Sequence, residues 1–278
     1  GSLNLSVSQA GGACSDFNNF SAALNCDVTP TEIKQLALHF QQAGTSLGEL
    51  VDAGPFDAEK MEGKLSVAMH GIDRRLLNLV GEKSRLDFGT TQIDCTNEIE
   101  LANAGASITA TGRFVADKVQ VTRAGQTTPT LDFSAAYAVT VDRTAQSATV
   151  RRLVLTGTQN GAPLLSAQLA SPMTMGLGGG AGSLGDAVLD VAVANLKLAD
   201  WKPFFGNLAN VNGGIDFDTT EINSTNEIQL AKAGARITAT GKFSVDKLQL
   251  TRAGQTTPSL DLSADYNVTV DRAAQSAT

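Results

Sequence analysis

Aromatic residues make up only 5% of this 278-residue chain, which carries one tryptophan, two tyrosines and eleven phenylalanines. Helix-forming runs are equally few, which argues against a helical core. No run of 18 apolar residues occurs, so nothing in the sequence reads as a membrane-spanning helix, and no signal peptide is legible at its start. Positive charge is also short: 21 Lys and Arg stand against 28 Asp and Glu, for a formal net charge of −7. The basic residues are scattered, so the sequence offers neither a nucleic-acid footprint nor a polybasic patch for anionic lipid headgroups.

The residues that usually carry chemistry are scarce as well. The two histidines, His39 and His70, do not recur at equivalent places, and both read as solvent-facing or strand-edge residues. The three cysteines are Cys14, Cys26 and Cys95. Cys14 and Cys26 would flank a strand of about ten residues, roughly 30 Å apart if straight, which disfavours a disulfide between them. No HExxH, CxxC or GxSxG motif occurs, nor a GxGxxG run in a strand-to-helix setting. Catalysis, a cofactor and a metal are therefore not expected.

What is plentiful is Thr, Val, Ala and Gly in alternating patterns, which favours a mainly β architecture. The organising feature is a passage that occurs twice. Leu86 to Thr149 is repeated as Ile215 to Thr278 without a gap, at a constant offset of 129 residues, so that Thr96 answers Thr225. Apolar positions exchange for apolar ones, as at Val119/Leu248, Val121/Leu250 and Phe133/Leu262, while polar positions drift, as at Asn103/Lys232 and Ser107/Arg236. Cys95 becomes Ser224, which excludes it as a metal ligand common to both copies.

The residues before the block belong to the same pattern. Leu5 to Gly11 resembles Val119 to Gly125, and Phe20, Ala22 and Leu24 fall opposite Tyr137, Val139 and Val141. From Ile33/Val150 through Leu36/Leu153, Leu38/Leu155, Gly44/Gly161 and Leu47/Leu164 to Pro55/Pro172 the offset is 117. The chain thus divides into the end of a diverged unit (1–55), a first full repeat (56–172, block 86–149) and a shorter second repeat (173–278, block 215–278). The connectors Phe56–Gly63 and the Gly-rich Met175–Gly185 read as exposed loops. Asp73 and Asp200 read as N-caps of short helical segments, one per repeat. Trp201, Phe204 and Phe205 read as packing against a sheet end.

Within the block, strands are expected near 86–93, 97–102, 106–114, 118–123 and 130–142, then 149–157 and 163–170 joined across Gln159-Asn-Gly161, a hairpin signal. The clearest is the stripe Leu131, Phe133, Ala135, Tyr137, Val139 and Val141, alternating with Asp132, Ser134, Ala136, Ala138 and Thr140. Copy two carries Leu260, Leu262, Ala264, Tyr266, Val268 and Val270. The carboxylates that recur, Asp87/Asp216, Glu98/Glu227, Asp117/Asp246, Asp132/Asp261 and Asp142/Asp271, lack the dense spacing of a calcium loop and read as solvated turns and polar-face residues. Such tandem units imply a continuous antiparallel sheet that grows along the chain. Alternation alone leaves open whether its apolar face is covered by a second sheet or curled into an open groove.

Val191-Ala-Val-Ala-Asn-Leu-Lys-Leu-Ala-Asp-Trp-Lys-Pro-Phe-Phe205, followed by Asn212-Gly-Gly-Ile-Asp-Phe217, resembles the strand, short helix and glycine-led strand of AsmA-like and TamB-like envelope proteins, relatives of the chorein-type bridge proteins. The paired strands at Leu153–Gly161 and Leu165–Leu169 with Pro172 resemble theirs too. The resemblance implies a curled β-groove that conducts phospholipid acyl chains in phospholipid transport or outer-membrane biogenesis, in the periplasm or envelope of a Gram-negative bacterium. Membrane contact would then run through segments outside this stretch. It implies a groove lined by Leu131, Phe133, Tyr137, Val139, Val141, Leu153 and Leu155, with Leu260, Leu262, Tyr266, Val268 and Val270, and no catalytic residue. The near-identity of adjacent copies supports a second expectation, a structural repeat of a surface fibre, stalk or adhesin with closed, sandwich-like units.

Overall fold

The computed structural model describes residues 1–9, 17–81, 84–123, 125–177, 185–201, 219–249, 251–252, 255–271, 274 and 276–277. The chain opens with five long or moderate strands, β1 (Ser2–Val7), β2 (Phe20–Thr29), β3 (Glu32–Gln42), β4 (Thr45–Asp57) and β5 (Glu62–Asp73), and the short helix α1 (Arg74–Gly81). The first copy of the block and its sequel form β6 (Gln92–Ala102), β7 (Ser107–Val119), β8 (Thr122–Arg123), β9 (Gln126–Thr127), β10 (Leu131–Asp142), β11 (Ser147–Gln159), β12 (Ala162–Leu169) and β13 (Met173–Gly176). Then come β14 (Ala187–Lys197), α2 (Leu198–Trp201), β15 (Glu221–Ala231), β16 (Arg236–Leu248), β17 (Thr251–Arg252), β18 (Gln255–Thr256), β19 (Leu260–Asp271) and β20 (Ser276–Ala277).

The protein is mainly β, and its strands form one large open antiparallel sheet. Fifteen strands follow one another in the order β1-β2-β3-β4-β5-β6-β7-β10-β11-β12-β14-β15-β16-β19-β20, with β13 paired beside β11. The pairs β8–β9 and β17–β18 are separate two-stranded ribbons. Nearly every neighbour in space is a neighbour in sequence, as short hairpin turns dictate. The turns use the expected chemistry: Ala43-Gly44 and Asn160-Gly161 both take positive φ (48° and 79°, 52° and 78°), the backbone a two-residue hairpin requires.

Burial shows how this sheet differs from a sandwich. In a two-layer protein the alternating sequence of β10 would alternate between buried and exposed. Instead, ten of the strand's twelve residues, on both faces, are half-buried. Among the described residues only eight apolar side chains are buried: Ala37, Leu47, Cys95, Ala116, Leu131, Ala148, Leu164 and Ala187. Total accessible surface is 16362 Å², against about 11,000 Å² for a compact monomer of this mass. A single-layer sheet accounts for both observations.

Register carries the apolar stripe across strand after strand. Directly paired residues run Leu3, Leu24, Leu38, Leu50, Met69, Cys95, Phe114, Ala135, Leu155, Ala167, Val191, Asn226, Gly241 and Tyr266. At about 4.8 Å per strand this row is about 62 Å long. The next row is polar: Thr96, Arg113, Ala136, Val154, Gln168, Asp190, Glu227, Thr240 and Asn267.

Pairing in the duplicated block is the same in both copies. Ile93↔Ala116 becomes Ile222↔Val245, and Tyr137↔Gly112 becomes Tyr266↔Gly241, every partner displaced by 129. The Val154↔Gln168 phase of β11–β12 also matches Ala37↔Val51 of β3–β4 at the offset of 117.

Three sequence expectations are corrected. The break expected between 86–93 and 97–102 falls inside β6, and that between 106–114 and 118–123 falls inside β7, where Lys118 (φ 51°) is absorbed as an irregularity near the strand's end rather than ending it sooner. The hairpin β2–β3 is shorter at its tip than β10–β11: Thr29↔Glu32 closes the first, while residues 141–148 lie beyond Thr140↔Thr149 in the second. Pairing therefore puts Phe20 in the place of Leu131 and Val7 in that of Val119, not Phe20 opposite Tyr137 or Leu5 opposite Val119. Lastly, Asp200 sits within α2, which starts at Leu198, instead of capping it. Asp73 does cap α1, its Oδ1 accepting from Arg75 N at 2.8 Å. Cys26 and Cys95 are free thiols. Cys14, most of the Gly-rich connector, Pro203, Phe204, Phe205 and Asn212–Phe217 lie outside the described residues.

Leu47 and Leu164 are the extra residues where register slips, between Gln41↔Ser46 and Phe40↔Gly48 in one hairpin and Thr158↔Pro163 and Gly157↔Leu165 in the other. They are 2% and 7% exposed. With so little interior elsewhere, Leu47→Ala will cost about 2–4 kcal/mol in urea unfolding. Leu3→Ala, at a site 66% exposed, will change stability by less than about 0.5 kcal/mol.

Candidate functional site

The residues of the expected groove share one face. Leu131, Phe133, Tyr137, Val139 and Val141 alternate along β10, and Leu153 and Leu155 of β11 pair with Tyr137 and Ala135. Leu131 is buried, at 6% exposure, and the other six are half-buried. On β19, Leu260, Leu262, Val268 and Val270 are 52%, 46%, 41% and 38% exposed, and Tyr266 is half-buried. The two groups are separated by β12, β14, β15 and β16 on the same face and joined by the apolar row.

Both tyrosines lie flat on the sheet rather than standing off it. Tyr137 crosses β7 at Gly112, where an added Cβ would fall 2.7 Å from its ring, and its hydroxyl donates to Asn97 Oδ1 on β6. Tyr266 does the same over Gly241, donating to Asn226 Oδ1 on β15. The asparagine amide in turn donates to Cys95 Sγ at 3.1 Å, or to Ser224 Oγ at 3.3 Å. The exchange of cysteine for serine thus preserves an acceptor. Phe133 likewise lies over Gly157, whose Cβ would meet its ring at 2.8 Å. The Gly, Asn and Cys/Ser partners were missed by reading the apolar stripe alone. The signal that could have found them is a glycine in mid-strand, a mark of close approach by another group.

Burial foremost, and then the neighbouring Cys95 thiol, push the Tyr137 phenol above its ordinary value. One carboxylate interrupts the apolar face. Asp52 on β4 sits between Leu36 and Val67, its Oδ1 without a partner, and burial raises its pKa. The residue 117 further on is Leu169.

Several of the recurrent carboxylates hold backbone, and others pair with side chains. Asp132 and Asp261 Oδ1 accept from the amides of Lys118 and Lys247, each at 2.8 Å, securing matching positive-φ residues. Asp142 and Asp271 accept from Ala145 N and Ala274 N, at 2.8 and 2.9 Å, across hairpin turns. Asp87 accepts from Asn78 Nδ2 and Gly89 N, bonds that hold its pKa low. Asp246 accepts from Asn223 Nδ2 at 2.8 Å. Glu98 pairs with Lys64 at 2.8 Å, and Glu227 with the Gln229 amide at 2.6 Å. His39 meets Glu49 at 2.9 Å, and His70 lies 3.8 Å from Asp94, all of them partly exposed. Trp201 donates to Gln159 Oε1 at 3.4 Å, tying α2 to the end of β11. No group of three or more metal-ligating side chains assembles among the described residues.

A cavity of about 920 Å³ spans β11, β12, β14, β15, β16 and β19. Its lining includes Val154, Gln168, Asp190, Glu227, Thr240 and Asn267 on one side and Thr156, Ser166, Ala192, Thr225, Lys242 and Asp265 on the other. Those are two rows of the polar face, so this hollow is on the side away from the groove residues, of which only Leu155 and Tyr266 border it. A second cavity of about 610 Å³, bordered by Thr96, Glu98, Thr111, Arg113 and Arg152, is on the polar face too.

No protein-family model matches the chain, and no curated protein or solved structure matches it either.

Two outcomes follow from the uneven polarity of the apolar face. Asp52→Leu will raise stability by about 1 kcal/mol at neutral pH, since it removes a carboxylate with one buried oxygen, Oδ1, left without a partner. Its advantage will shrink as pH falls through the raised pKa of Asp52, where the acid becomes neutral. Tyr137 works in the opposite range: its folded pKa exceeds the unfolded value of 10.0, so its share of stability is complete below that value and is lost as pH rises through the folded pKa. Alkaline unfolding of Tyr137→Phe will lack that component, and a titration curve unchanged by the substitution would refute the assignment.

Proposed function

We propose that this chain is a non-catalytic, lipid-handling segment of a bacterial envelope protein, whose sheet offers its apolar face to acyl chains. The observation that carries the reading is the apolar row from Leu3 to Tyr266, on one face of a sheet on which no second layer lies among the described residues. A large exposed apolar surface marks an interaction site. The row is about 62 Å long, several times the length of one acyl chain. Such a strip binds hydrocarbon without demanding one position, which suits movement along it. Repeat and strip are parts of the same reading: tandem units lengthen the sheet, and hydrocarbon would lie along its open apolar face, opposite the hollows of the polar face. The resemblance to AsmA-like and TamB-like proteins supports it, and in this reading the protein works in the periplasm or envelope.

The near-identity of the two copies favours a second reading, a fibre, stalk or adhesin in which the sheet is purely structural. Closed sandwich-like units do not form among the described residues, so in that reading the apolar face would be covered by further segments or by another chain.

Acyl probes of increasing length separate the two. A methylene buried on every side contributes about 0.8 kcal/mol, and one laid on a single apolar face about half as much. Affinity will then rise about twofold per added CH₂, and Val139→Asp together with Leu153→Asp will weaken binding at least about tenfold. Absence of probe binding by the folded protein, or affinity independent of chain length, would sink the lipid reading.

A further inference from the structure

We infer that the smaller hollow of the polar face, between Arg113 on β7 and Arg152 on β11, is a binding site for a water-soluble phosphate group, either inorganic phosphate or a phosphomonoester. It lies on the face opposite the apolar row, so it stands or falls apart from the lipid reading. The hollow has a volume of about 610 Å³ and is bordered by residues of β5, β6, β7, β10 and β11. Arg113 pairs with Ala136 and Arg152 with Ala138, so the two side chains flank β10 and are separated only by alanines. Two strand spacings across and two residues along put their backbones about 12 Å apart. Alanine is too short to fill that gap.

Both arginines are exposed, and neither forms an ion pair among the described residues. The one carboxylate that borders the hollow, Glu98, lies 2.8 Å from Lys64. The two guanidiniums therefore have no counter-charge of their own. Thr96 and Thr111 border the same space and bring hydroxyls that can donate to an oxyanion. A slip in register between Ala138 and Val139 leaves Arg151 beside Arg152 on β11, and such bulges re-aim side chains next to sites. A guanidinium offers a fork of N–H donors that matches phosphate in bidentate fashion. A tetrahedral dianion has oxygens for both forks and charge for both cations, which a single carboxylate lacks.

The duplicate of this place supplies an internal comparison. Thr96, Glu98 and Thr111 recur as Thr225, Glu227 and Thr240, but Arg113 becomes Lys242 and Ala136 becomes Asp265. Lys242 Nζ then lies 3.6 Å from Asp265. Asp190 pairs with Glu227 where Ser66 pairs with Glu98, which adds another carboxylate. Three carboxylates and one ammonium border the larger hollow, against one carboxylate and two guanidiniums in the smaller. The strands beneath the two hollows pair alike, so the contrast lies in the side chains alone. Cationic character belongs to the first copy.

The test titrates the intact chain with inorganic phosphate and follows the arginine Nε–Hε signals by NMR. Those of Arg113 and Arg152 will shift together along one binding curve, and raised ionic strength will weaken it. Arg113→Gln combined with Arg152→Gln will reduce affinity at least about tenfold. Ala136→Asp will do the same by supplying the carboxylate that the second copy carries at Asp265, a place where the sheet already accepts one. Lys242→Gln, in the other hollow, will leave phosphate binding unchanged. The absence of a phosphate-dependent shift at the two arginines, or equal affinity in Ala136→Asp, would overturn the inference. Binding to phosphatidic acid vesicles in place of inorganic phosphate would overturn it as well, by giving the site to a lipid headgroup.

Discussion

Everything in this molecule depends on the main-chain ladder between sequential strands. A two-layer β protein holds its sheets together by burying one face of each against the other. Among the described residues no second layer lies on either face, and the buried apolar side chains number eight. Stability therefore rests on hydrogen bonds from strand to strand and on side chains that touch their cross-strand neighbours. Such a structure grows by addition at an edge, and each strand is stable because the next one covers it. Leu131, paired with Val119 on one side and Gln159 on the other, is 6% exposed.

The side chains show how a sheet with little interior keeps its apolar face orderly. Tyr137 over Gly112 and Tyr266 over Gly241 turn large rings parallel to the sheet, so that each covers a neighbouring strand and satisfies its hydroxyl on the strand beyond. Asn97 and Asn226, which would otherwise be stray polar groups in an apolar row, are satisfied on both sides by tyrosine and by Cys95 or Ser224. Asp132 and Asp261 hold the positive-φ lysines that would otherwise fray the ends of β7 and β16. Asp132 and Asp142, with their counterparts Asp261 and Asp271, thus have defined structural partners.

Much of this was legible in the sequence because period-two alternation and turn chemistry are local. The strand expected at 130–142 is β10 within one residue, and Asn160-Gly161 makes the hairpin its composition implies. Strand ends near Lys118 were not legible, because a slip in register looks in sequence like a turn. The displacement of Phe20 to the place of Leu131 was hidden since shortening a hairpin tip leaves the alternation of both arms intact. Most consequential, alternation assigns residues to faces and says nothing of what lies against a face. Single-layer character is visible only in burial, in the evenly half-buried residues of β10. The position of the larger cavity on the polar face was likewise beyond sequence, because the sense in which a sheet bends is set by twist and coiling rather than by which face is apolar.

The central claim is that one face of this sheet meets hydrocarbon and the other does not. Val139 and Thr140 are adjacent on β10, on opposite faces of the same strand. The most direct measurement places a photo-crosslinking amino acid at each position in turn, in protein incubated with phospholipid vesicles, and identifies the adducts by mass spectrometry. The account predicts phospholipid adducts from position 139 and none above background from position 140. Equal labelling from both positions, or adducts to protein alone, would contradict it.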